Sequence, residues 1–243
     1  MYKKVFNMAD IMDFCECTDK MPLIGDKAPH FRANTTNGPI DFPEDFAGRW
    51  VVLFSHPSDF TPVCTSEFIA FQRSMAAFQE INTQLVGLSV GALSSHLAWL
   101  DAISQMPDGA NIVFPVIDDL GANVARLYGM MHPNASDTSA VRAVFIIDDK
   151  GTVRAILYYP PILGRNIIEI QRMIVGLQTA DAFQVAIPVN WMPGDKVLEY
   201  APSTVASMRR RANGQPWFMQ YEKLSEKAIY DKICGSKKQQ KRK

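Results

Sequence analysis

Cys64 is the side chain of this sequence that is best placed for chemistry. It follows an apolar run at residues 51–54, which has the length and β-branched character of a buried strand. Beyond Cys64, apolar residues recur every three or four positions as far as Gln79, which is the spacing of a helix face. Cys64 is therefore predicted in the first turn of a helix, where unpaired amide groups and the helix dipole favour a thiolate. Because the thiolate is the nucleophilic form of cysteine, this position predicts a reactive sulfur.

The loop before Cys64 carries groups that suit a ligand containing oxygen. Thr61 lies three residues before Cys64, so its hydroxyl can point to the sulfur or to a bound oxygen atom. Pro57 and Pro62 stiffen the two ends of the loop and keep ring carbons, rather than N–H groups, beside the site. The alternative is a buried structural cysteine, the commoner role of a lone cysteine. Core packing, however, does not require a threonine and two prolines at these spacings.

Arg142 is the second residue with a chemical signal. It opens a strand predicted over residues 142–147 that is otherwise apolar. An arginine at the mouth of a buried strand is unfavourable unless it meets an anion, and a thiolate would be a suitable one. The alternative is an arginine that extends to solvent from the end of the strand.

The loop sequence resembles a known family. Residues 57–64, P-S-D-F-T-P-V-C, resemble the active-site signature of the peroxiredoxins, and residues 55–67 are similar to that of their one-cysteine subgroup. Residues 25–31, G-D-K-A-P-H-F, resemble the opening of the same family, and the resemblance extends over roughly residues 23–232. It implies a thiol-dependent peroxidase with an antioxidant role. Such an enzyme reduces hydrogen peroxide and alkyl hydroperoxides through a Cys64 sulfenic acid, without a cofactor.

The resemblance also implies roles for residues around the sulfur. It implies that Arg142 faces Cys64, and that Arg165 supports the loop and Glu67. Glu67 is expected to orient an arginine rather than to act as a base. His56 has the position found in the subgroup, although a histidine at the end of a strand is often only hydrogen-bonded.

The elements that position these residues alternate between strands and helices, which predicts a mixed α/β sheet sandwiched by helices. The thioredoxin-like fold that the resemblance implies agrees with this. A helix beginning at Ser94 or Ser95 is expected to turn four residues inward, namely Leu97, Ala98, Leu100 and Ile103. The other predicted elements are strands at residues 85–90, 113–117, 142–147 and 153–159, and helices at residues 122–128, 166–179 and 220–233.

Four segments are expected along the chain. They are an N-terminal extension at residues 1–20, which has the pattern of a short helix, and a peroxidase domain at residues 21–182. A smaller C-terminal extension at residues 183–234 resembles the one that packs on a partner subunit, and residues 235–243 are expected to be a disordered basic tail. A homodimer or a ring of dimers is therefore expected.

Composition excludes several classes of function. The 243 residues hold 25 basic and 25 acidic side chains, so no nucleic-acid or membrane partner is expected. No apolar run approaches the roughly 20 residues of a membrane span. The first 20 positions mix acidic residues with apolar ones, which is not the pattern of a secretory signal, so none is expected. Four cysteines do not form a disulfide framework in a chain of this length, which favours the reducing cytoplasm.

The sequence offers several candidates for the thiol that reduces the Cys64 sulfenic acid. The V-C-P motif of two-cysteine relatives is absent, since residues 185–191 read V-A-I-P-V-N-W, and Met219 stands where archaeal-type members often have a cysteine. Cys234 is a candidate resolving thiol near the end of the chain. Cys15 and Cys17 could form a redox pair or a metal clip, but a clip lacks two further ligands, so no metal is expected. A one-cysteine cycle completed by an external thiol, such as a thioredoxin-like protein or glutathione, is favoured.

Two other functions compete with the peroxidase. Residues 87–91 match the G-x-S-x-G pattern of serine hydrolases, with Ser89 as nucleophile and Asp118 and His132 following in order. Ser89, however, lies in or at the end of an apolar strand, and the next helix begins too late for that motif. The second alternative is an oligomeric holdase or scaffold that functions without Cys64.

Overall fold

A mixed sheet of seven described strands forms the centre of the protein. The computed structural model describes residues 21–136, 138–211 and 216–240, with side chains up to residue 234. The strands are β1 (Phe31–Thr35), β2 (Gly38–Phe42), β3 (Trp50–Ser55), β4 (Thr83–Ser89), β5 (Val116–Asp118), β6 (Arg142–Ile147) and β7 (Val153–Tyr159). The order across the sheet is β2-β1-β5-β4-β3-β6-β7. Because β3 pairs in parallel with β4 and antiparallel with β6, the predicted mixed sheet is confirmed.

Helices cover the sheet on both faces. Alternate side chains of β3 enter two separate apolar clusters, as the period of a strand requires. The helices are α1 (Pro62–Arg73), α2 (Met75–Glu80), α3 (Leu93–Ser104), α4 (Asn123–Leu127), α5 (Ile167–Phe183), α6 (Val205–Arg209) and α7 (Glu226–Gln240), with a 3-10 turn at Glu44–Phe46. Trp50, Val52 and Phe54 pack against α1, α2, α3 and α5, whereas Val51 and Leu53 pack with α4 and the β1–β2 hairpin.

The C-terminal part adds a small antiparallel sheet. Its strands are β8 (Val185–Ala186), β9 (Lys196–Glu199) and β10 (Tyr221–Lys223), in the order β10-β9-β8. Trp191, Val197, Leu224 and Ile229 from this part join the cluster beneath α1 and α5. The C-terminal strands and α7 therefore share one core with the main sheet.

The helix predicted to contain Cys64 is broken. A single helix through Gln79 was expected, but the chain bends at Ser74 (φ −90°, ψ 0°) and separates α1 from α2. The break still lets Phe68, Phe71 and Phe78 face the same core, which is why the apolar spacing predicted one helix.

The prediction for α3 was wrong in its start and in its buried face. The helix begins at Leu93 after Ala92, without a cap from Ser94 or Ser95. Leu97 and Ala98 are exposed, whereas His96, Trp99 and Ile103 are buried. A histidine forms part of the inward face because its two ring nitrogens find buried partners.

Three further boundaries differ from expectation. Strand β5 begins at Val116 rather than at residue 113, where Val113 is 47% exposed. The last helix begins at Glu226 rather than at residue 220, because residues 221–223 pair with β9 as β10. Its backbone continues to Gln240, into the segment for which a disordered tail was expected. Residues 1–20, with Cys15, Cys17 and the expected N-terminal helix, lie outside the described residues.

No helix in the described part of the chain has both the length and the apolar character needed to cross a membrane.

Candidate active site

Cys64 lies in the first turn of α1, as predicted. Pro62 is the first residue of the helix, and Thr61 precedes it in an extended conformation. Proline suits this position because its missing N–H would have no helical partner there. The sulfur faces inward, and Cys64 has 0% of its surface exposed and no disulfide partner. The sulfur therefore lies at the positive end of a helix and beneath the surface.

Arg142 provides the direct polar contact to this sulfur. Its Nη1 lies 3.3 Å from Cys64 Sγ and 2.7 Å from Glu67 Oε2. Its Nε and Nη2 both donate to the carbonyl of Pro161, at 2.9 and 2.7 Å. Arg142 is 2% exposed, so the alternative of an arginine that extends to solvent is wrong. With three further N–H groups bonded to Pro161 and Glu67, the guanidinium is held with one N–H directed at the sulfur.

Glu67 joins Arg142 to a second buried arginine. Arg165 donates to Glu67 from Nε at 2.9 Å and from Nη2 at 2.6 Å, which is a two-point contact. Its Nη1 also donates to the carbonyls of Ser55 and Ala143, at the ends of β3 and β6. The group thus contains two guanidinium charges and one carboxylate. A Cys64 thiolate would bring the net charge of this group to zero.

Thr61 and Pro57 lie in the loop, but the threonine hydroxyl points away from the expected contact. It donates to the carbonyl of Ser58 at 2.9 Å, and no hydrogen bond in the described residues joins it to Sγ. A hydroxyl that donates in this way keeps its lone pairs for another donor. Pro57 is half-buried at the start of the loop, next to the buried His56.

His56 belongs to a cluster that the sequence analysis did not identify. Its Nε2 lies 2.9 Å from Asp59 Oδ1, and its Nδ1 has no partner among the described residues. Burial is the main cause that lowers the pKa of His56, although the bond to Asp59 opposes it. Asp59 also contacts His96 at 2.7 Å, so the three side chains lie close enough to share a metal ion, yet hydrogen bonds account for these contacts. The only sequence signal for Asp59 was its place in the loop, and a histidine on an apolar helix face was the signal for His96.

The other candidate residues lie apart from this site. Cys234 Sγ donates to the carbonyl of Glu80 at 3.1 Å, at the far end of α2 and beyond the break that separates α2 from the helix of Cys64. Ser89 is buried at the end of β4, where its register partner is Asp118. His132 instead packs on Tyr158, with the two ring centroids 4.8 Å apart. Within the described residues no hydrogen bond connects this serine, aspartate and histidine, so the hydrolase pattern is not assembled.

Known families match most of this chain. The AhpC/TSA family matches residues 24–156, and the C-terminal domain of 1-Cys peroxiredoxin matches residues 176–209. A peroxiredoxin of Methanosarcina mazei is 48% identical over 219 residues, which are 85% of this chain and 100% of that protein. A peroxiredoxin of Aquifex aeolicus is 52% identical over 180 residues, which are 74% of this chain and 81% of that protein.

Solved structures of similar proteins share the fold. Yeast mitochondrial 1-Cys peroxiredoxin has a TM-score of 0.75 at 37% identity, with 84% of this chain and 100% of that chain covered. A mutant of the peroxiredoxin 6 of Arenicola marina has a TM-score of 0.74 at 28% identity, with 83% and 97% covered. These relatives support neither a serine hydrolase nor a holdase. The chain belongs to the peroxiredoxin family, in its one-cysteine subgroup with a C-terminal domain, and is a thiol-dependent peroxidase.

Proposed function

We propose that Cys64 is the nucleophile that reduces hydrogen peroxide and alkyl hydroperoxides. The observation that carries this proposal is the 3.3 Å contact between Arg142 Nη1 and Cys64 Sγ, inside a buried group of two guanidiniums and one carboxylate. A second guanidinium, from Arg165, reaches the same group through Glu67. Core packing alone would not place two buried cations beside a cysteine, because each requires an anionic partner.

The thiolate attacks the terminal oxygen of the hydroperoxide. An S–O bond forms and the O–O bond breaks, so the sulfur is oxidised to sulfenic acid and the peroxide is reduced to an alkoxide or hydroxide, which takes a proton and leaves as alcohol or water. Negative charge spreads over both peroxide oxygens during this step. A fixed guanidinium beside the sulfur stabilises that charge without reorganising, which is the usual role of such donors.

The other site residues have supporting roles in this proposal. Arg142 binds the thiolate and the peroxide oxygens, and the Thr61 hydroxyl oxygen, whose proton is donated to Ser58, accepts a hydrogen bond from the peroxide O–H. Glu67 holds Arg142 in position, and Arg165 holds Glu67. Pro57 and His56 shape the start of the loop, where the ring of Pro57 limits its movement.

An external thiol completes the cycle in this proposal. Two thiols reduce the sulfenic acid to the Cys64 thiol, and one disulfide and one water are released. The position of Cys234 beside Glu80 favours this scheme over a resolving thiol of the same chain. The yeast mitochondrial 1-Cys peroxiredoxin is described as resolved through glutathione and thioredoxin systems, and we infer a reductant of that kind here.

We also propose domain limits, an assembly and a cellular location for this chain. Residues 21–182 would be the peroxidase domain and residues 183–234 the extension. Assembly as a homodimer or a ring of dimers is supported by the family. Placement in the reducing cytoplasm rests on the cysteine usage alone.

The test is peptide mass spectrometry combined with peroxide kinetics. After one equivalent of peroxide, the wild type is expected to form a sulfenic acid at Cys64, which dimedone converts to a thioether with release of water. Cys64→Ser is expected to lose peroxide turnover. Cys234→Ser is the matched control, and it should keep the wild-type rate. Retention of most of the rate in Cys64→Ser would show that another residue reacts. Detection of a Cys64–Cys234 disulfide would show that Cys234, rather than an external thiol, reduces the sulfenic acid.

A further inference from the structure

Asp59 is the most extensively bonded side chain of the loop between β3 and α1. Its Oδ1 accepts a hydrogen bond from His56 Nε2 at 2.9 Å. Its Oδ2 accepts from His96 Nδ1 and from Ser95 Oγ, both at 2.7 Å. Only 5% of the Asp59 side chain is exposed, and both histidine side chains are fully buried. A carboxylate from the loop is thus held by two residues of α3.

His96 extends this attachment to the sheet. Its second nitrogen, Nε2, lies 3.2 Å from the carbonyl of Ile117 in β5. Both ring nitrogens of His96 therefore have buried partners, one in the loop and one in the sheet. Burial alone would raise the pKa of Asp59, but the hydrogen bonds from His56, His96 and Ser95 lower it well below its usual range. Asp59 and His96 are therefore joined by a buried hydrogen bond between the loop and α3.

A second contact fixes the other end of the loop to the same helix. Trp99 Nε1 donates to Thr65 Oγ1 at 3.2 Å, and that hydroxyl donates to the carbonyl of Thr61 at 2.8 Å. The ring of Trp99 also packs on His56, with the centroids 5.1 Å apart. The residue after Cys64 is thus attached to the same helix that holds Asp59.

The buried sulfur gives this attachment a consequence for the reaction. A small peroxide needs only a narrow approach to Cys64, whereas the thiol of a protein or peptide reductant brings a much larger body. With Cys64 at 0% exposure, such a thiol can reach the sulfur only when the loop and the first turn of α1 move outward. Whatever holds the loop against α3 therefore affects oxidation and reduction in opposite directions.

We propose that Asp59 and His96 form a clamp that holds the Cys64 loop closed, and that this clamp sets the balance between oxidation by peroxide and reduction by a bulky thiol. Both are positioning residues, since neither contacts the sulfur. The inference rests on the proposed function of Cys64. Its structural part, the control of access to the sulfur, can be measured without any peroxide.

The first test compares access to Cys64 in full-length Asp59→Asn and wild type. Asparagine has nearly the same size but turns one acceptor into an N–H group that faces a histidine donor. Alkylation of Cys64 by a bulky maleimide, followed by peptide mass spectrometry, is expected to be at least tenfold faster in the variant. Hydrogen exchange should rise in residues 56–65 and remain at the wild-type level in α5. Unchanged alkylation and unchanged loop exchange would overturn the clamp.

The second test separates positioning from general damage. In Asp59→Asn, oxidation by hydrogen peroxide should be at least tenfold slower, while reduction of the sulfenic acid by thioredoxin should become faster. A residue with only a structural role would slow both steps, and that result would also overturn the proposal. His96→Leu should reproduce the effects of Asp59→Asn. His96→Asn keeps a donor near the position of Nδ1 and should restore most of the wild-type behaviour.

Two further variants complete the design. Asp101→Asn removes a carboxylate from the exposed side of α3, where it accepts from Gln105, and it should match the wild type. If Asp59→Asn does not fold, Ser95→Ala is used instead, because it removes one of the hydrogen bonds to Asp59. Its alkylation rate and loop hydrogen exchange should rise in the same direction but by a smaller factor. Wild-type values in Ser95→Ala would then reject the clamp. Peroxidase activity that survives Cys64→Ser would contradict the proposed role of Cys64. The alkylation and hydrogen-exchange measurements on Asp59→Asn would still show whether the clamp controls access to the sulfur.

Discussion

At the scale of single residues, Glu67 determines whether the buried charges around Cys64 are compatible with folding. It is 3% exposed and accepts hydrogen bonds from Arg142 at 2.7 Å and from Arg165 at 2.6 and 2.9 Å. Arginine cannot lose its proton in a protein, so both guanidiniums remain charged in the interior. Their nearest anion besides the sulfur is this carboxylate, and removing its charge leaves two buried cations side by side.

Glu67→Gln is therefore expected to lower the free energy of unfolding by about 3 kcal/mol, the usual cost of breaking a buried ion pair from one side. The matched control is Glu169→Gln, which breaks a contact with Arg172 at the surface of α5. Exposed pairs contribute about 0.2–1 kcal/mol, so the control should change stability little. Denaturant unfolding of both variants measures the difference. A Glu67→Gln loss no larger than that of the control would contradict this account of the site.

At the scale of elements, the close packing of α1 on the sheet carries Cys64 to the end of β3. Gly87 of β4 is the register partner of Phe54 of β3, and the missing side chain leaves room for two rings of the core. A Cβ atom at Gly87 would lie 3.4 Å from Cζ of Phe54 and 3.4 Å from Cζ of Phe68. Because Phe68 is one turn after Cys64 on α1, this strand and this helix set the height of the sulfur above the sheet.

Gly87→Val is expected to destabilise the fold by about 1–3 kcal/mol, because its methyl groups would overlap the two phenylalanine rings. The same overlap should push α1 away from the sheet and slow the reaction with peroxide. Gln84→Val, at a half-buried position of the same strand, tests whether valine in β4 is harmful in itself. Denaturant unfolding and the rate of peroxide reduction are measured for both. Equal values for the two variants would exclude the packing argument.

At the scale of the whole molecule, the two apolar clusters and the buried charged groups together determine the free energy of unfolding, which depends on pH. The cluster beneath α1 also takes in residues of the C-terminal strands and of α7, so the extension contributes to the same core. His56 is fully buried beside it, and burial is the main cause that lowers the pKa of this histidine below its ordinary value. In the unfolded chain the same side chain titrates near pH 6.5.

The free energy of unfolding is therefore expected to fall as the pH drops from about 7 to about 5. In this window the unfolded chain binds a proton at His56 that the folded protein does not bind, so acid stabilises the unfolded state, by at most about 1.4 kcal/mol per pH unit. His56→Gln keeps a donor toward Asp59 and should reduce the slope. Unfolding curves at several pH values measure the slope, and an equal slope in His56→Gln would assign the acid sensitivity to other groups.

Much of the fold could be read from the sequence because its cause is local. The predicted bounds of β6 and β7, residues 142–147 and 153–159, agree with the structure, since two apolar runs flank a D-K-G turn. The place of Cys64 in the first turn of α1 follows from the same kind of signal, a strand, a proline-rich turn and a helical repeat. Where a boundary depended on a distant partner, as at β10, the prediction failed.

The site shows the same division between local and distant causes. Sequence alone determined that Cys64 lies at a helix N-terminus and that Arg142 opens a buried strand. Only the tertiary structure decided that Glu67 meets both Arg142 and Arg165, that the hydroxyl of Thr61 points to Ser58, and that Asp59 binds His96. The reason is that hydrophobic periodicity is set by neighbours within a few positions of the chain. The partner of a buried charge is set by which strands and helices become adjacent, and that order is fixed only when the whole sheet assembles.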